Sequence, residues 1–153
     1  MRVEYVNPFI DSAIEILKMS VSEDVKRGEI SLSSNITPML GVVVLIGLVG
    51  QVTGRVILDM EESTALKIAS KMNSENLVDF DKLTCGTLTE LANMIVGNAV
   101  TKLHELGFQF DLTPPAILFG QNIKMSDENL EALIVPMQIP EGKIEINVAL
   151  KEV

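Results

Sequence analysis

The chain has 153 residues, of which 47% are hydrophobic and 22% charged, a composition typical of one globular domain with a sizeable core. Twelve basic against twenty-one acidic residues give a formal net charge of −9, which disfavours nucleic acid and anionic membranes as partners. One cysteine and one histidine cannot assemble a disulfide framework or a soft-metal site within one chain. We therefore expect residues 1–153 to form a single domain that works in the cytoplasm.

No stretch of the sequence is long and apolar enough to insert into a membrane. The longest nonpolar run, residues 39–50, falls short of the roughly 20 residues that a spanning helix needs. The first residues lack the apolar core and cleavage pattern of a secretory signal. We expect neither membrane insertion nor export.

A helix and a strand are predicted at the start of the chain. The dipeptide Asn7-Pro8 predicts a helix that ends near Met19, with asparagine as the N-cap and proline at the first helical position. Residues 25–33 alternate weakly between apolar and polar side chains, which predicts a first strand with Ile30 and Leu32 facing inward.

A β-hairpin and a second helix are predicted next. Residues 42–49 are apolar on both faces, which indicates a central strand, or one covered by a helix layer and a partner subunit. Gly50 and Gly54 mark a reversal into a second strand over residues 55–60. Residues 61–72 are predicted to form a helix that opens with acidic side chains.

The longest predicted helix starts at Asp79 or Asp81 and ends at Leu106, where Gly107 stops it. Its helical periodicity predicts a core face and an opposite face of unusual composition. The predicted core face carries Leu88, Leu91, Ile95, Ala99 and Leu106; the opposite face carries Gly86, Glu90, Asn93, Gly97 and His104. Two glycines inside a helix cost roughly 2 kcal/mol relative to alanine, a cost that makes sense if another surface must approach closely.

Four short strands are predicted after this helix. They cover residues 108–112, 116–119, 130–139 and 144–150, and the first two are separated by Thr113-Pro114-Pro115. Helices clustered between runs of strands, with links of hairpin length, indicate an α+β fold with a mostly antiparallel sheet.

The pattern Glu-x-x-Asn occurs twice, against about 0.8 occurrences expected by chance from this composition. The pair Glu4 and Asn7 is set aside, because a residue before proline is pushed out of helical geometry. Glu90 and Asn93 lie in the middle of a helix, where residues three apart are neighbours. From spacing alone, an ordinary solvated helix face explains this pair better than a functional site does.

A longer pattern surrounds this pair. It comprises Glu90-Leu91, Asn93-Met94, Gly97, Leu103, Leu106-Gly107, Asp111-Leu112-Thr113-Pro114-Pro115 and Gly120. The pattern resembles the CheX family of chemotaxis phosphatases, relatives of CheC and of the FliY switch proteins, which dephosphorylate the response regulator CheY. The resemblance is strongest over residues 86–120. Thr89 departs from the pattern, since relatives often carry glycine there. This difference bears on the rate of dephosphorylation or on the choice of partner protein.

The resemblance implies a CheC/CheX-like fold with long helices on one face of the sheet, a homodimer, and a phosphorylated CheY-like receiver domain as partner. It also implies that Glu90 anchors the regulator, while Gly86, Thr89 and Gly97 lie in the contact surface. No cofactor of its own is expected, since Mg²⁺ would be supplied by the phosphorylated regulator. The first helix has no second motif, because Lys18 stands three residues after Glu15, and this favours CheX over CheC.

The chemistry of Asn93 suits hydrolysis of an aspartyl phosphate. A carboxamide can accept from and donate to a water molecule without adding negative charge beside a phosphoryl group. The alternative is a non-catalytic adaptor or a flagellar-switch module that binds receiver domains. His104 and Cys85 are interpreted as a surface residue and an inert thiol.

Overall fold

The computed structural model describes residues 3–33, 36–127 and 130–152. Within these ranges the helices are α1 (Val3–Ser20), α2 (Glu62–Asn73) and α3 (Lys82–Glu105). The strands are β1 (Lys26–Arg27), β2 (Ser31–Ser33), β3 (Thr37–Pro38), β4 (Val42–Gly50), β5 (Val52–Met60), β6 (Phe110–Leu112), β7 (Ala116–Phe119), β8 (Lys124–Met125), β9 (Ala132–Ile139) and β10 (Gly142–Glu152).

The main sheet of the described residues has the order β1-β9-β10-β5-β4-β6, with β2 also on β9 and β7 also on β4. Every pairing in it is antiparallel. The predicted hairpin is present, since Val44 pairs with Leu58, and Leu58 pairs in turn with Ile146 of β10. The predicted α+β fold with a mostly antiparallel sheet is therefore confirmed.

The helices pack on one face of this sheet. Alternate residues of the central strands, such as Leu58 and Ile146, form one hydrophobic core with Leu17 of α1 and Leu91 of α3. Burial of these apolar side chains contributes roughly 1.5 to 3 kcal/mol each. The helix layer fixes α3 across the sheet, and the face of α3 turned away from the core stays available.

The other face of the sheet has a small core of its own. Val43 and Ile57 are buried there with Met39, and Ile123 and Met125 pack against them. These covering residues lie in or next to strands β3 and β8, which pair with each other. The burial of Val43 on this face therefore needs no partner subunit, whereas Val49 at the end of β4 is 58% exposed.

Helix α1 starts earlier than predicted, so the assignment of Asn7 as N-cap and Pro8 as first helical residue is wrong. The helix begins at Val3 and Pro8 lies inside it. A proline inside a helix removes one backbone hydrogen bond. The additional turn buries Tyr5, which is 4% exposed, and packs its ring edge-on against Phe108 at 4.9 Å between centroids.

The single strand predicted over residues 25–33 is also wrong. Two short strands, β1 and β2, pair with β9 and are separated near Gly28. Gly28 donates its N–H to the carbonyl of Pro136 at 2.8 Å, but a proline has no N–H to return. The ladder breaks there, and Leu32, predicted to face inward, is 65% exposed on this edge.

A buried carboxylate on β5 predicts a pH dependence of stability. Asp59 is 1% exposed, and its carboxylate accepts the N–H of Leu40 at 2.9 and 3.1 Å. Burial raises the pKa of Asp59 to about 6, against the lowering effect of the Leu40 hydrogen bond, while the Glu145 charge adds to the rise. The folded state thus binds this proton more tightly than the unfolded chain.

We expect this group to reduce the free energy of unfolding by about 3 kcal/mol as the pH rises from about 4 to about 7. Asp59→Asn keeps an acceptor for Leu40 but cannot ionise, so the variant should lack this part of the pH dependence and be more stable at neutral pH. Urea denaturation across that pH range would measure the effect. Parallel curves for the two proteins would contradict the prediction.

Candidate functional site

Helix α3 is capped and packed so that its orientation is fixed. The side chain of Asp81 accepts the N–H of Thr84 at 2.9 Å, so the predicted start at Asp81 is confirmed. The core face buries Leu88, Leu91, Ile95 and Ala99, as predicted. Leu106 was predicted to join them but is 62% exposed, because the helix ends at Glu105 and Leu106 lies past its last turn.

The opposite face of α3 presents Glu90 and Asn93, one helical turn apart and both exposed. Within the described part of the chain, neither side chain has a hydrogen-bond or ion-pair partner. The structure therefore places the carboxylate and the carboxamide together on one surface and leaves both available to a second molecule.

Gly86 and Gly97 border this pair on either side. A Cβ atom built at either position meets nothing within 4 Å outside the helix's own backbone. The fold therefore imposes no steric requirement for glycine at either position. Both glycines leave the helix surface beside Glu90 and Asn93 without side chains. We name the surface formed by Gly86, Glu90, Asn93 and Gly97 the Glu90–Asn93 face.

Thr89 turns its hydroxyl back onto the helix. Its Oγ1 donates to the carbonyl oxygens of Cys85 and Gly86, at 3.1 and 3.0 Å. The hydroxyl is thus occupied, and Thr89 changes the surface through its bulk beside Glu90.

Helix α1 borders α3 through a polar cluster that the sequence analysis missed. Asn98 donates from Nδ2 to Ser12 Oγ at 3.2 Å and to Glu15 Oε2 at 3.0 Å, and Lys102 pairs with Glu15 at 2.9 Å. Hydrogen bonds from Lys102 and Asn98 lower the pKa of Glu15. Glu15 thus holds α1 against α3, and no sequence signal linked residues so distant in the chain.

The geometric argument against Glu4 and Asn7 was wrong. Both lie on α1, whose helical geometry continues through Pro8, and both are exposed. The surroundings differ from those of the Glu90–Asn93 face, however. An exposed Asp11 stands one turn after Asn7, where Gly97 follows Asn93 on α3. A carboxylate there would repel an incoming phosphoryl group, so this second pair lacks a suitable contact surface.

The remaining reactive side chains are engaged with neighbouring groups. His104 lies with Nε2 3.3 Å from the carbonyl oxygen of Phe110 and its ring edge-on to the Phe110 ring. Burial and the Asp81 charge raise the pKa of the Cys85 thiol, which therefore stays protonated at neutral pH. In the described ranges, no group of three or more His, Cys, Asp or Glu residues is placed to hold a metal ion.

No helix of the described residues combines the length and apolar character needed to cross a bilayer.

The fold is that of a CheC-like protein. The crystal structure of a CheC-like superfamily protein from Shewanella sp. PV-4 superimposes with a TM-score of 0.88 at 30% identity, covering 99% of both chains. A family model described as chemotaxis phosphatase CheX matches residues 42–138. The chain belongs to the CheX family.

Two further relatives agree with this assignment. CheY-P phosphatase CheX from Thermotoga maritima is 32% identical over 126 residues, which cover 82% of this chain and 81% of that protein. A chain in the crystal structure of the CheX-CheY-BeF₃-Mg²⁺ complex from Borrelia burgdorferi is 46% identical, with a TM-score of 0.85 over 99% of this chain and 100% of that one.

Proposed function

We propose that this protein is a cytoplasmic phosphatase, a single domain that hydrolyses the aspartyl phosphate of a CheY-type response regulator. Asn93 positions the attacking water, and Glu90 anchors the regulator. The observation that carries the proposal is the exposed, unpaired Glu90 and Asn93 between two glycines whose surroundings are open. The likeness to a curated CheY-P phosphatase over most of the chain supports it.

Hydrolysis of an acyl phosphate needs mainly a water molecule held in line behind phosphorus. The carboxamide of Asn93 can accept a hydrogen bond from that water and donate one to a phosphoryl oxygen. It brings no negative charge to the site. Because Asn93 is exposed and unpaired, it can enter the regulator's active site without breaking a contact in its own protein.

Glu90 lies one turn from Asn93 and would pair with a lysine beside the phosphoaspartate. A charge pair that is desolvated and hydrogen-bonded at an interface contributes affinity and fixes orientation. This pairing would set how deeply the side chain of Asn93 enters the active site of the regulator. Gly86 and Gly97 let the backbone of α3 approach the regulator closely. The bulk of Thr89 beside Glu90 limits how closely the regulator can approach there.

We assign Mg²⁺ to the regulator, which would use it to hold the phosphoryl group. The crystal structure of the Borrelia burgdorferi CheX-CheY-BeF₃-Mg²⁺ complex supports this assignment. The chain carries a net charge of −9, so long-range electrostatics do not steer it toward a receiver domain that is also acidic. Docking then depends on local contacts around the Glu90–Asn93 face.

We also propose that the protein works as a homodimer, as its resemblance to CheX implies. Met39, Ile123 and Met125 cover the second face of β4 only around Val43 and Leu45, and Val49 at the end of the strand is 58% exposed. Light scattering of the purified chain would give its molar mass, and a monomeric mass at micromolar concentration would contradict the proposal.

The activity is tested by following the decay of a phosphorylated CheY-type receiver domain in Mg²⁺ buffer. Substoichiometric protein should accelerate the decay and release more phosphate than one equivalent per protein. Binding without acceleration, across several receiver domains, would instead identify an adaptor or a flagellar-switch module.

For the two glycines of the Glu90–Asn93 face we predict that substitution raises stability and lowers affinity for the regulator. Gly86→Ala and Gly97→Ala should each raise the free energy of unfolding by about 1 kcal/mol, because alanine suits a helix better and its methyl group meets no neighbour. Each should also weaken regulator binding by holding the partner away. Urea denaturation and titration with an activated receiver measure the two effects.

Thr101→Ala on α3 serves as the control, and the hydroxyl that it removes bonds only within the helix, to the carbonyl of Gly97. It changes an exposed residue one turn beyond Gly97 and should leave regulator affinity near that of the wild type. Unchanged affinity in both glycine variants would show that the bare surface is not a contact surface.

A further inference from the structure

A groove between α2 and α3 continues the Glu90–Asn93 face toward the start of α3. It has a volume of about 680 Å³ and is lined by Met72, Asn73, Lys82, Leu83, Gly86 and Glu90, together with Thr87 on its floor. Along α3 it runs from Lys82 to Glu90, a distance of about 12 Å at 1.5 Å per residue. We name it the α2–α3 groove.

The polar groups on the floor of the groove are already used. Asn73 donates from Nδ2 to the carbonyl of Ala69 and to Thr87 Oγ1, both at 2.8 Å, and Thr87 Oγ1 donates to the Leu83 carbonyl at 2.9 Å. The bond between Asn73 and Thr87 ties the end of α2 to α3. The groove therefore keeps its shape, and its amide and hydroxyl donors are not free for a ligand.

The surface that remains available is apolar with a charge at each end. Leu83 is 45% exposed and Met72 is half-buried, so both offer carbon surface to the groove. Of the lining residues, Lys82 is the cation and Glu90 the anion. An occupant that fits must present an apolar side chain between a basic group at Glu90 and an acidic group at Lys82.

We propose that the α2–α3 groove selects the receiver domain by taking one of its apolar side chains, with Lys82 binding a carboxylate beyond it. The inference rests on the proposed function, in which Glu90 pairs with a lysine of the regulator. One partner surface that lies on Glu90 and Asn93 continues directly into the groove, since Glu90 belongs to both. Lys82 and Leu83 are then specificity-determining residues that do not take part in hydrolysis.

Continuity with the Glu90–Asn93 face identifies the receiver domain as the occupant, because Glu90 belongs to that face and also lines the groove. Lys82 places a cation at the end of the groove away from Glu90, where a carboxylate of the receiver can bind. A receiver that carries an acidic group about 12 Å from the basic group at Glu90 can contact both ends of the groove at once. The groove thus selects a partner by the spacing of two opposite charges.

A second groove, of about 790 Å³, lies on the other side of α2 and supplies matched controls. It is lined by Leu66, Lys67 and Val78 among others and does not reach Glu90. Lys67 is exposed there, so Lys67→Glu changes the net charge as Lys82→Glu does but at a distance from the site. Leu106→Gln matches Leu83→Gln, because Leu106 is an exposed leucine at the far end of α3.

The experiment measures kcat and KM of dephosphorylation for the wild type and the four variants, with a receiver domain that the wild type dephosphorylates. Lys82→Glu and Leu83→Gln should each raise KM roughly tenfold and leave kcat near the wild-type value. Lys67→Glu and Leu106→Gln should change neither constant. A receiver variant with an Asp or Glu changed to Lys, about 12 Å from the lysine that Glu90 pairs with, should restore KM for Lys82→Glu.

Misfolding does not explain such a result for Lys82→Glu, because an acidic residue in the first turn of a helix interacts favourably with its dipole. KM values equal to that of the wild type in both groove variants would overturn the inference and leave the phosphatase proposal standing. A change of molar mass in these variants would assign the groove to a second copy and also overturn it. If the wild type dephosphorylates no receiver, the proposed function fails and the inference fails with it.

Discussion

Replacing Asn93 with alanine should reduce the phosphatase rate by roughly 100-fold or more, because the attacking water loses the group that holds it in line. Affinity for the regulator should stay within a few-fold of the wild-type value, since Glu90 and the α2–α3 groove remain. Asn93 is exposed and unpaired, so its truncation leaves the fold unchanged. Phosphate release and binding of a beryllofluoride-activated receiver measure the two quantities separately.

Asn98→Ala is the matched control for this variant. Asn98 lies on the same helix and bonds to Ser12 and Glu15, so its loss loosens α1 without touching the proposed water site. We expect wild-type turnover from it. Asn93→Asp should be nearly as inactive as Asn93→Ala despite its similar shape, because a carboxylate is repelled by the phosphoryl oxygens. Turnover near the wild-type rate in Asn93→Ala would remove the catalytic role.

The α3 helix could be predicted from sequence because its information is local. Asp81 as the cap, the apolar repeat from Leu88 to Ala99, and the exposed pair Glu90 and Asn93 all follow from spacing along one helix. The same holds for the β4–β5 hairpin, whose glycines and apolar runs lie next to each other in the chain. The family followed from the pattern over residues 86–120, and the antiparallel sheet from the order of helices and strands along the chain.

The errors arose where distant contacts decide the local structure. Pro8 predicted a helix start, but the burial of Tyr5 against Phe108, far along the chain, extends α1 backward. Residues 25–33 were predicted as one strand, but Pro136 on the neighbouring strand interrupts the ladder. No periodicity within either segment carries that information.

The α2–α3 groove was missed for the same reason. Its walls come from two helices joined by a loop, and the bond between Asn73 and Thr87 that sets their spacing has no sequence signature. Sequence reasoning found the residues of the Glu90–Asn93 face because they share one helix. It could not find how that surface continues onto α2.

Removing the charge of Glu90 should weaken regulator binding strongly. Loss of one partner from a desolvated, hydrogen-bonded charge pair costs about 2 to 5 kcal/mol, because the other charge is left buried and unpaired. Glu90→Gln should therefore raise Kd for an activated receiver by roughly 30-fold or more. Glu105→Gln, a change of an exposed carboxylate at the end of the same helix, should leave Kd unchanged.

Titration of the beryllofluoride-activated receiver separates anchoring by Glu90 from catalysis by Asn93. At saturating regulator, Glu90→Gln should regain part of the wild-type rate because Asn93 is still present, whereas Asn93→Ala should stay inactive at any concentration. Exchanging the charges, with Glu90→Lys on this protein and Lys→Glu on the regulator, should restore part of the affinity. If Glu90→Gln binds the regulator as tightly as the wild type does, Glu90 is not the anchor. The regulator is then held by the α2–α3 groove and the backbone of α3 alone.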